Sequence, residues 1–422
     1  MGHNRASRLV FPFRSQWIVL LVIFAGAWDF KVLLRIPPGQ QAAPPARVQT
    51  GIDVYESMNS EPFAGKRVGL ITNQTGVDSQ GRRTIDVLAS RMDVKLVALF
   101  SPEHGIFGTS EDRSIRDSAD RATQLPVYSL YGETRKPTDE MLKNIDVLVF
   151  DMQDAGVRFY TYVTTMAYCM EAAAKHHIQF VVMDRPDPLG GDVLEGPMLD
   201  SDRRSFAAYF PMPIRYAMTI AELAKMFNAE NHIGADLQIF PLRNWNRHEA
   251  YDETGLTWIA PSPNLQTVIQ TFLYPGLEVL QAGDVSVGRG TEGPFEILGA
   301  PWVHALEFAS ELGRRQIPGV EFKPVQFIPS QDPHRSKTCE GVTIRIRDRG
   351  LFRSIRTGLE IADVLHRMYP ERFQLEKIVA LLGSQSSIDR LKRGDRPADI
   401  ISGWAADLDK FRRLREKYLL YD

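Results

Sequence analysis

Short, almost continuously apolar runs recur from Gly51 onward: Arg67–Thr72, Lys95–Phe100, Ile145–Phe150, Ile178–Met183 and Leu237–Phe240. Between them the apolar spacing turns helical. Arg83–Ser90 reads as a short helix. Tyr160–His177 carries Val163, Met166, Ala167, Met170 and Ala174 on one face. Thr219–Asn231 opens on a Thr cap with Glu222 three residues later. Runs without polar alternation are what strands buried on both faces require, and strand–helix alternation predicts an α/β fold with a parallel sheet. The last third differs. Val320–Ile328 and Gly341–Arg347 read as strands, and Val342, Ile344 and Ile346 alternate with polar residues, as in a sheet with one wet face. Trp404, Leu408, Phe411, Leu414 and Tyr418 form an amphipathic stripe that predicts core packing. The expected order is a parallel-sheet α/β domain over residues 51–260, then a smaller mixed α+β domain over 261–422 that closes a cleft. Between them, Asn244-Trp245-Asn246, Trp258 and Pro261-Ser262-Pro263-Asn264 read either as a plain connection or as a wall of the site.

The amino terminus breaks this pattern. Arg5, Arg8 and Arg14 precede the apolar run Trp17–Trp28, with no acid before Asp29. A basic segment followed by about a dozen apolar residues predicts a secretory signal over 1–27, with Ala25-Gly26-Ala27 as the cleavage site. An uncleaved membrane anchor is the other reading, although the run is short of the roughly 20 residues of a membrane span. Residues 28–50, rich in Pro, Ala and Gln, read as a linker. The expected location is therefore outside the cytoplasm, periplasmic or extracellular. The whole chain has 422 residues and a formal net charge of −2, which gives no electrostatic basis for binding nucleic acid. Cys169 lies among helical apolar positions and reads as a buried thiol; it and Cys339 are the two cysteines.

Candidate chemistry follows the strands, where ligands bind in open α/β sheets. ITNQTG brings Asn73 and Thr75, and SPEHG brings Glu103 and His104. DMQDAGVRFYTY brings Asp151, Asp154, Arg158 and Tyr160, and MDRPDPLGG brings Asp184, Arg185 and Asp187. A carboxyl at a strand end beside apolar walls suits a general acid, so Glu103 is the leading catalytic candidate, against a helix cap or an Arg partner as the plain alternative. Asp154 and Arg158 are site candidates or simply each other's ion pair. Tyr160 offers the hydroxyl and flat face that suit a sugar. Glu195, in LEGP, is the next carboxylate to weigh against a surface acid. In VSVGRGTEGPF, Arg289 and Glu292 lie between glycines; a Gly-flanked Arg suits a carboxylate or phosphate, or is a solvated hairpin residue. Hard-ligand types (Glu103, His104, Asp151, Asp154, Asp184) raise a metal site and a metal-dependent phosphoesterase, but no His-x-x-x-His or Cys-x-x-Cys pair supports one. Neither a Walker A loop nor a G-x-S-x-G elbow is present.

Taken in order, GKRVGLITNQTGVD, LVALFSPEHGIFG, VFDMQDAGVRFYTYVTTM, MDRPDPLGG, LEGP, PSPN, YPG, SVGRGTEGPFEILGAPW and KYLLY resemble the bacterial exo-β-N-acetylmuramidase family, formerly a domain of unknown function, over about residues 51–422. The resemblance implies a Rossmann-like first domain, a smaller second domain and a cleft between them. It implies hydrolytic release of terminal N-acetylmuramic acid from the non-reducing end of peptidoglycan fragments, with no cofactor and no metal. Carried over by motif, Glu103 is the general acid/base and Glu195 the second catalytic carboxylate. Asp154, Arg158 and Tyr160 lie on the substrate side, and Arg289 is a partner for the lactyl carboxylate. Two stretches depart from the family pattern: Gln281-Ala282-Gly283-Asp284 stands where many members read Glu-Gly-Thr-Asn, and PSPNLQT where many read PSPNMPT. A scaffold can outlive its activity, so the alternative is a non-catalytic protein that binds muropeptides.

Overall fold

The computed structural model describes residues 47–112 and 114–422, so the expected signal or anchor over 1–27 lies outside the described residues. Strands β1 (Arg67–Thr72), β2 (Lys95–Ser101), β3 (Ser118–Ala119), β4 (Pro126–Ser129), β5 (Val147–Asp151), β6 (Gln179–Met183) and β7 (Leu237–Phe240) form a seven-stranded sheet in the order β3-β4-β2-β1-β5-β6-β7. All neighbours pair parallel except β3 with β4. The parallel strands thus run outward in both directions from β1, as in a Rossmann sheet, and the order reverses between β1 and β5. The register there sets Thr72 beside Asp151, so the loops after both strands leave the sheet at one level.

Period-two alternation sorts the strand side chains onto two apolar faces. Val147 and Val149 of β5, with Val181 and Met183 of β6, pack under Ile52, Tyr55 and Leu88. Leu148, Phe150, Phe180 and Val182 face the helices Tyr162–Lys175 and Ile220–Glu230. This is the two-sided burial that the apolar runs predict. The capping box at Thr219 and Glu222 is present, with Glu222 Nα 3.3 Å from Thr219 Oγ1 and Thr219 Nα 3.0 Å from Glu222 Oε2. Cys169 and Cys339 are both buried free thiols. Residues 48–50, read from sequence as the end of a linker, belong to the fold: Val48 is buried against Leu242 and Trp245, and Gln49 pairs with Arg243.

The second sheet is antiparallel, in the order β8 (Ile297–Ala300), β10 (Cys339–Ile346), β9 (Val320–Phe327). It shares one continuous core with the helical face of the first sheet, running from Ile71 through Phe308 and Val342 to Phe411. A helix that the apolar pattern does not announce, Val268–Gln281, joins the halves. Pro275 lies inside it and cannot donate an amide bond. Ser354 bridges the break: its hydroxyl accepts from Gly276 Nα (2.9 Å) and donates to the Leu273 carbonyl (3.1 Å). A Cβ on Gly276 would meet the Ser354 carbonyl oxygen at 1.9 Å, so only glycine allows this approach of the two helices. Among the described residues no helix is long and apolar enough to cross a membrane.

Candidate active site

A cleft of about 450 Å³ opens where the loops after β2 and β5 meet the second half of the chain. Glu103 and His104 come from the loop after β2, and Phe159, Tyr160 and Thr161 from the approach to the helix Tyr162–Lys175. Ser205, Phe206 and Ala207 form one side. Ser262 and Asn264 form another, so the Trp/Asn/Pro stretch is a wall of the cleft at its Pro-rich end. Tyr274, Glu278, Arg289 and Phe295 close it from the second half.

Glu103 is fixed by one oxygen. Thr161 Oγ1 donates to its Oε2 at 2.6 Å, while Oε1 has no hydrogen-bond donor among the described residues. Its backbone is held from below by Tyr162, whose hydroxyl lies 3.3 Å from the Glu103 carbonyl and donates to the Pro261 carbonyl at 2.8 Å. Asn73 Nδ2 donates to that hydroxyl at 2.9 Å, and Asn73 Oδ1 accepts from Thr75 Oγ1 at 2.6 Å. Asn73 and Thr75 are therefore buried supports under the cleft, not lining groups. His104 lines it, with Nδ1 2.7 Å from the Ser110 carbonyl and a left-handed backbone (φ 70°) that a non-glycine residue adopts only when its surroundings hold it there. Gly108, also left-handed, passes over the Gln74 amide, where a Cβ would lie 1.9 Å from Nε2.

Tyr160 lines the cleft and meets Tyr162 and Tyr274 edge-to-face at 4.7 and 6.2 Å between ring centres. Burial pushes its phenol well above the ordinary value. Arg289 Nη2 donates to Glu278 Oε1 at 2.7 Å, and its guanidinium lies over Phe295. Among the described residues, Glu278 Oε2 is buried with no hydrogen-bond partner. Glu278, Thr161, Tyr274 and Asn264 were not singled out from sequence. Tyr274 and Asn264 sit inside the YPG and PSPN motifs, and Glu278 is the one charged residue of a mostly apolar helix, which is the signal that could have found it.

The remaining candidates lie elsewhere. Glu195 does not line the cleft: its Oε1 accepts from Arg356 Nα at 2.9 Å, capping the helix Ser354–Met368, and Oε2 lies 3.6 Å from Arg215. Burial raises its pKa. Asp154 and Arg158 are not each other's partner. Asp154 Oδ2 accepts from Gly156 Nα (2.7 Å) and the Tyr216 hydroxyl, and burial lifts its pKa to about 6. Arg158 is 1% exposed and donates to the carbonyls of Pro197, Met212, Leu381 and Leu382 at 2.8–3.0 Å, with burial lowering its pKa to about 9. It pins Leu381, which lines the cleft, instead of facing a ligand. Asp184 collects Ala221 Nα (3.0 Å), Thr219 Oγ1 (2.8 Å) and the Tyr421 hydroxyl (2.6 Å), and Arg185 pairs with Asp151 at 2.6 Å; both are buried away from the cleft. Glu292 is exposed and outside it. The departing residues Gln281, Ala282 and Asp284 line a neighbouring cavity of about 410 Å³ that shares Glu278 and Leu381 with the cleft. Among the described residues no group of three or more His, Cys, Asp or Glu is placed to hold a metal ion.

A fixed carboxyl with one accessible oxygen, aromatic faces and a carboxylate–guanidinium pair suit proton transfer to a leaving group on a ring-shaped ligand. Comparison with known proteins narrows this. Residues 68–269 match the family model described as exo-beta-N-acetylmuramidase NamZ, N-terminal, and residues 272–421 match its C-terminal counterpart. The peptidoglycan beta-N-acetylmuramidase NamZ of Bacillus subtilis (strain 168) is 42% identical over 385 residues, which covers 90% of this chain and 93% of that one. A crystal structure of a DUF1343 family protein from Bacteroides fragilis NCTC 9343 superposes with a TM-score of 0.83 at 39% identity, covering 90% of this chain and 100% of that one. A second from the same organism gives 0.72 at 27% identity, covering 89% and 99%.

Proposed function

The chain belongs to the exo-β-N-acetylmuramidase NamZ family, and from that premise we propose that it is an exported glycoside hydrolase that releases terminal N-acetylmuramic acid from the non-reducing end of peptidoglycan fragments. The observation that carries this reading is Glu103: a carboxyl anchored through Oε2 by Thr161, with no donor to Oε1 among the described residues, in a cleft walled by Phe159, Tyr160, Tyr274 and Phe206. In this reading Glu103 protonates the glycosidic oxygen as the bond to the leaving sugar breaks, and then takes a proton from the attacking water. Glu278 replaces Glu195 as the second carboxylate. Arg289 holds one of its oxygens, and the other steadies the positive charge that develops on the terminal sugar or its 2-acetamido group in the transition state. The reaction consumes water and needs no cofactor.

Incubating the protein with the MurNAc–GlcNAc disaccharide, and reading products by mass spectrometry with and without chelator, tests the activity. Free N-acetylmuramic acid in both samples is the expected result. Binding without product over long incubation would favour the non-catalytic reading instead. Export rests on Arg5, Arg8 and Arg14 before the apolar run Trp17–Trp28; cell fractionation followed by amino-terminal sequencing tests it, and an intact protein in the cytosol would refute it.

A further inference from the structure

We infer that Arg135, at the rim of the cleft, reads the carboxylate of the terminal sugar and so sets the preference for a muramic acid over an uncharged N-acetylhexosamine; this deepens the reading above and rests on it. Among the described residues, two arginines line the cleft, Arg135 and Arg289. Their electrostatic situations differ. Arg289 has its charge met by Glu278 at 2.7 Å and lies against Phe295. Arg135 has no carboxylate within ion-pair distance among the described residues. Its guanidinium instead stacks over Phe206 at 4.2 Å from the ring centre and faces Tyr131 at 5.5 Å. Both rings line the same cleft.

Stacking on two rings restrains the guanidinium while leaving the N–H edge of the fork available, which is the geometry that binds a carboxylate through two parallel hydrogen bonds. Arginine keeps its charge at any pH the protein meets, so a neutral ring bearing a carboxylate gains a partner here that a ring without one does not. Glu103 and Arg135 line the same cleft of about 450 Å³, within the roughly 300–1,000 Å³ of small-molecule sites, so both face the volume one sugar ligand would occupy. The family resemblance implies Arg289 as the partner of the lactyl carboxylate; the ion pair with Glu278 moves that role to Arg135.

The test uses aryl β-glycosides of N-acetylmuramic acid and of its lactyl methyl ester, which keeps the shape and removes the charge. Wild-type protein is expected to prefer the acid by about 10-fold or more in kcat/KM, the range for a hydrogen bond to a charged group. Arg135→Gln should bring that ratio close to one, with most of the change in KM, and Arg135→Lys should recover part of it. A ratio unchanged in Arg135→Gln overturns the inference, as does a wild type that treats acid and ester alike. If neither glycoside is hydrolysed, the proposed activity fails separately. Calorimetry of free N-acetylmuramic acid and its methyl ester on both proteins still decides the role of Arg135: equal discrimination by wild type and variant would overturn it.

Discussion

Thr161 donates its hydroxyl to Glu103 at 2.6 Å, tying the loop after β2 to the start of the helix Tyr162–Lys175. The bond fixes one carboxyl oxygen and leaves the other without a donor among the described residues. Glu103→Gln keeps the shape and the acceptor for Thr161 but removes the proton that the leaving group needs. We expect a native circular dichroism spectrum and melting curve, with turnover reduced at least about 100-fold on the disaccharide. Turnover near wild type in this variant would sink the assignment.

Glu195 offers the contrasting case. Its carboxylate caps a helix of the second half and faces Arg215, so Glu195→Gln should act on stability. A loss of about 1–3 kcal/mol in urea unfolding is expected, with kcat within a few-fold of wild type. A large loss of kcat at unchanged stability would restore Glu195 to the chemistry.

The Glu278–Arg289 pair can be separated into structural and chemical parts by a double-mutant cycle. Each single change, Glu278→Gln or Arg289→Gln, leaves one partly buried charge without its partner, and we expect about 1–3 kcal/mol of destabilisation. The double variant should recover much of that stability and none of the activity. Independent, additive stability effects would show that the pair is not coupled.

Asp187 makes a prediction in pH. Its Oδ2 is buried without a partner among the described residues, and burial lifts its pKa to about 7, against about 3.9 in an unfolded chain. Between those values the folded protein keeps a proton that the unfolded chain has released. This contribution is therefore complete below about pH 4 and is lost as the pH rises through about 7. In Asp187→Asn the unfolding free energy should fall less between pH 5 and pH 8 than in wild type, by about 3 kcal/mol, since about two pH units of that interval lie below the folded pKa. Parallel pH profiles in urea titrations would contradict this.

Much of the scaffold was legible because it obeys simple periods. The runs at Arg67, Lys95, Ile145, Ile178 and Leu237 became β1, β2, β5, β6 and β7 to within a residue or two, since continuous apolarity is what a doubly covered strand needs. The helix Val268–Gln281 was missed because Pro275-Gly276 reads as a break. Its continuity depends on Ser354, 78 positions away, which no local pattern reveals. Glu278 was missed with it. Around the cleft, the strand-end motifs were legible in the sequence but the depth of each side chain was not. Glu103, His104, Tyr160 and Arg289 reach the cleft, whereas Asn73, Thr75, Asp154, Arg158 and Asp184 do the equally necessary work of satisfying buried loop amides and carbonyls beneath it. Both duties call for the same residue types.

The Tyr421 hydroxyl reaches back 237 positions to Asp184, while Leu420 Nα donates to Glu222 and Arg415 to the Gly191 carbonyl. A ribosome that has already delivered all seven strands of the first sheet thus holds a domain whose buried carboxylate still lacks one of its donors. The first half is therefore a poor unit for separate expression or for grafting onto another protein: cut from the second, it would expose the surface that Tyr421 covers beside Trp245 and leave Asp184 without that donor.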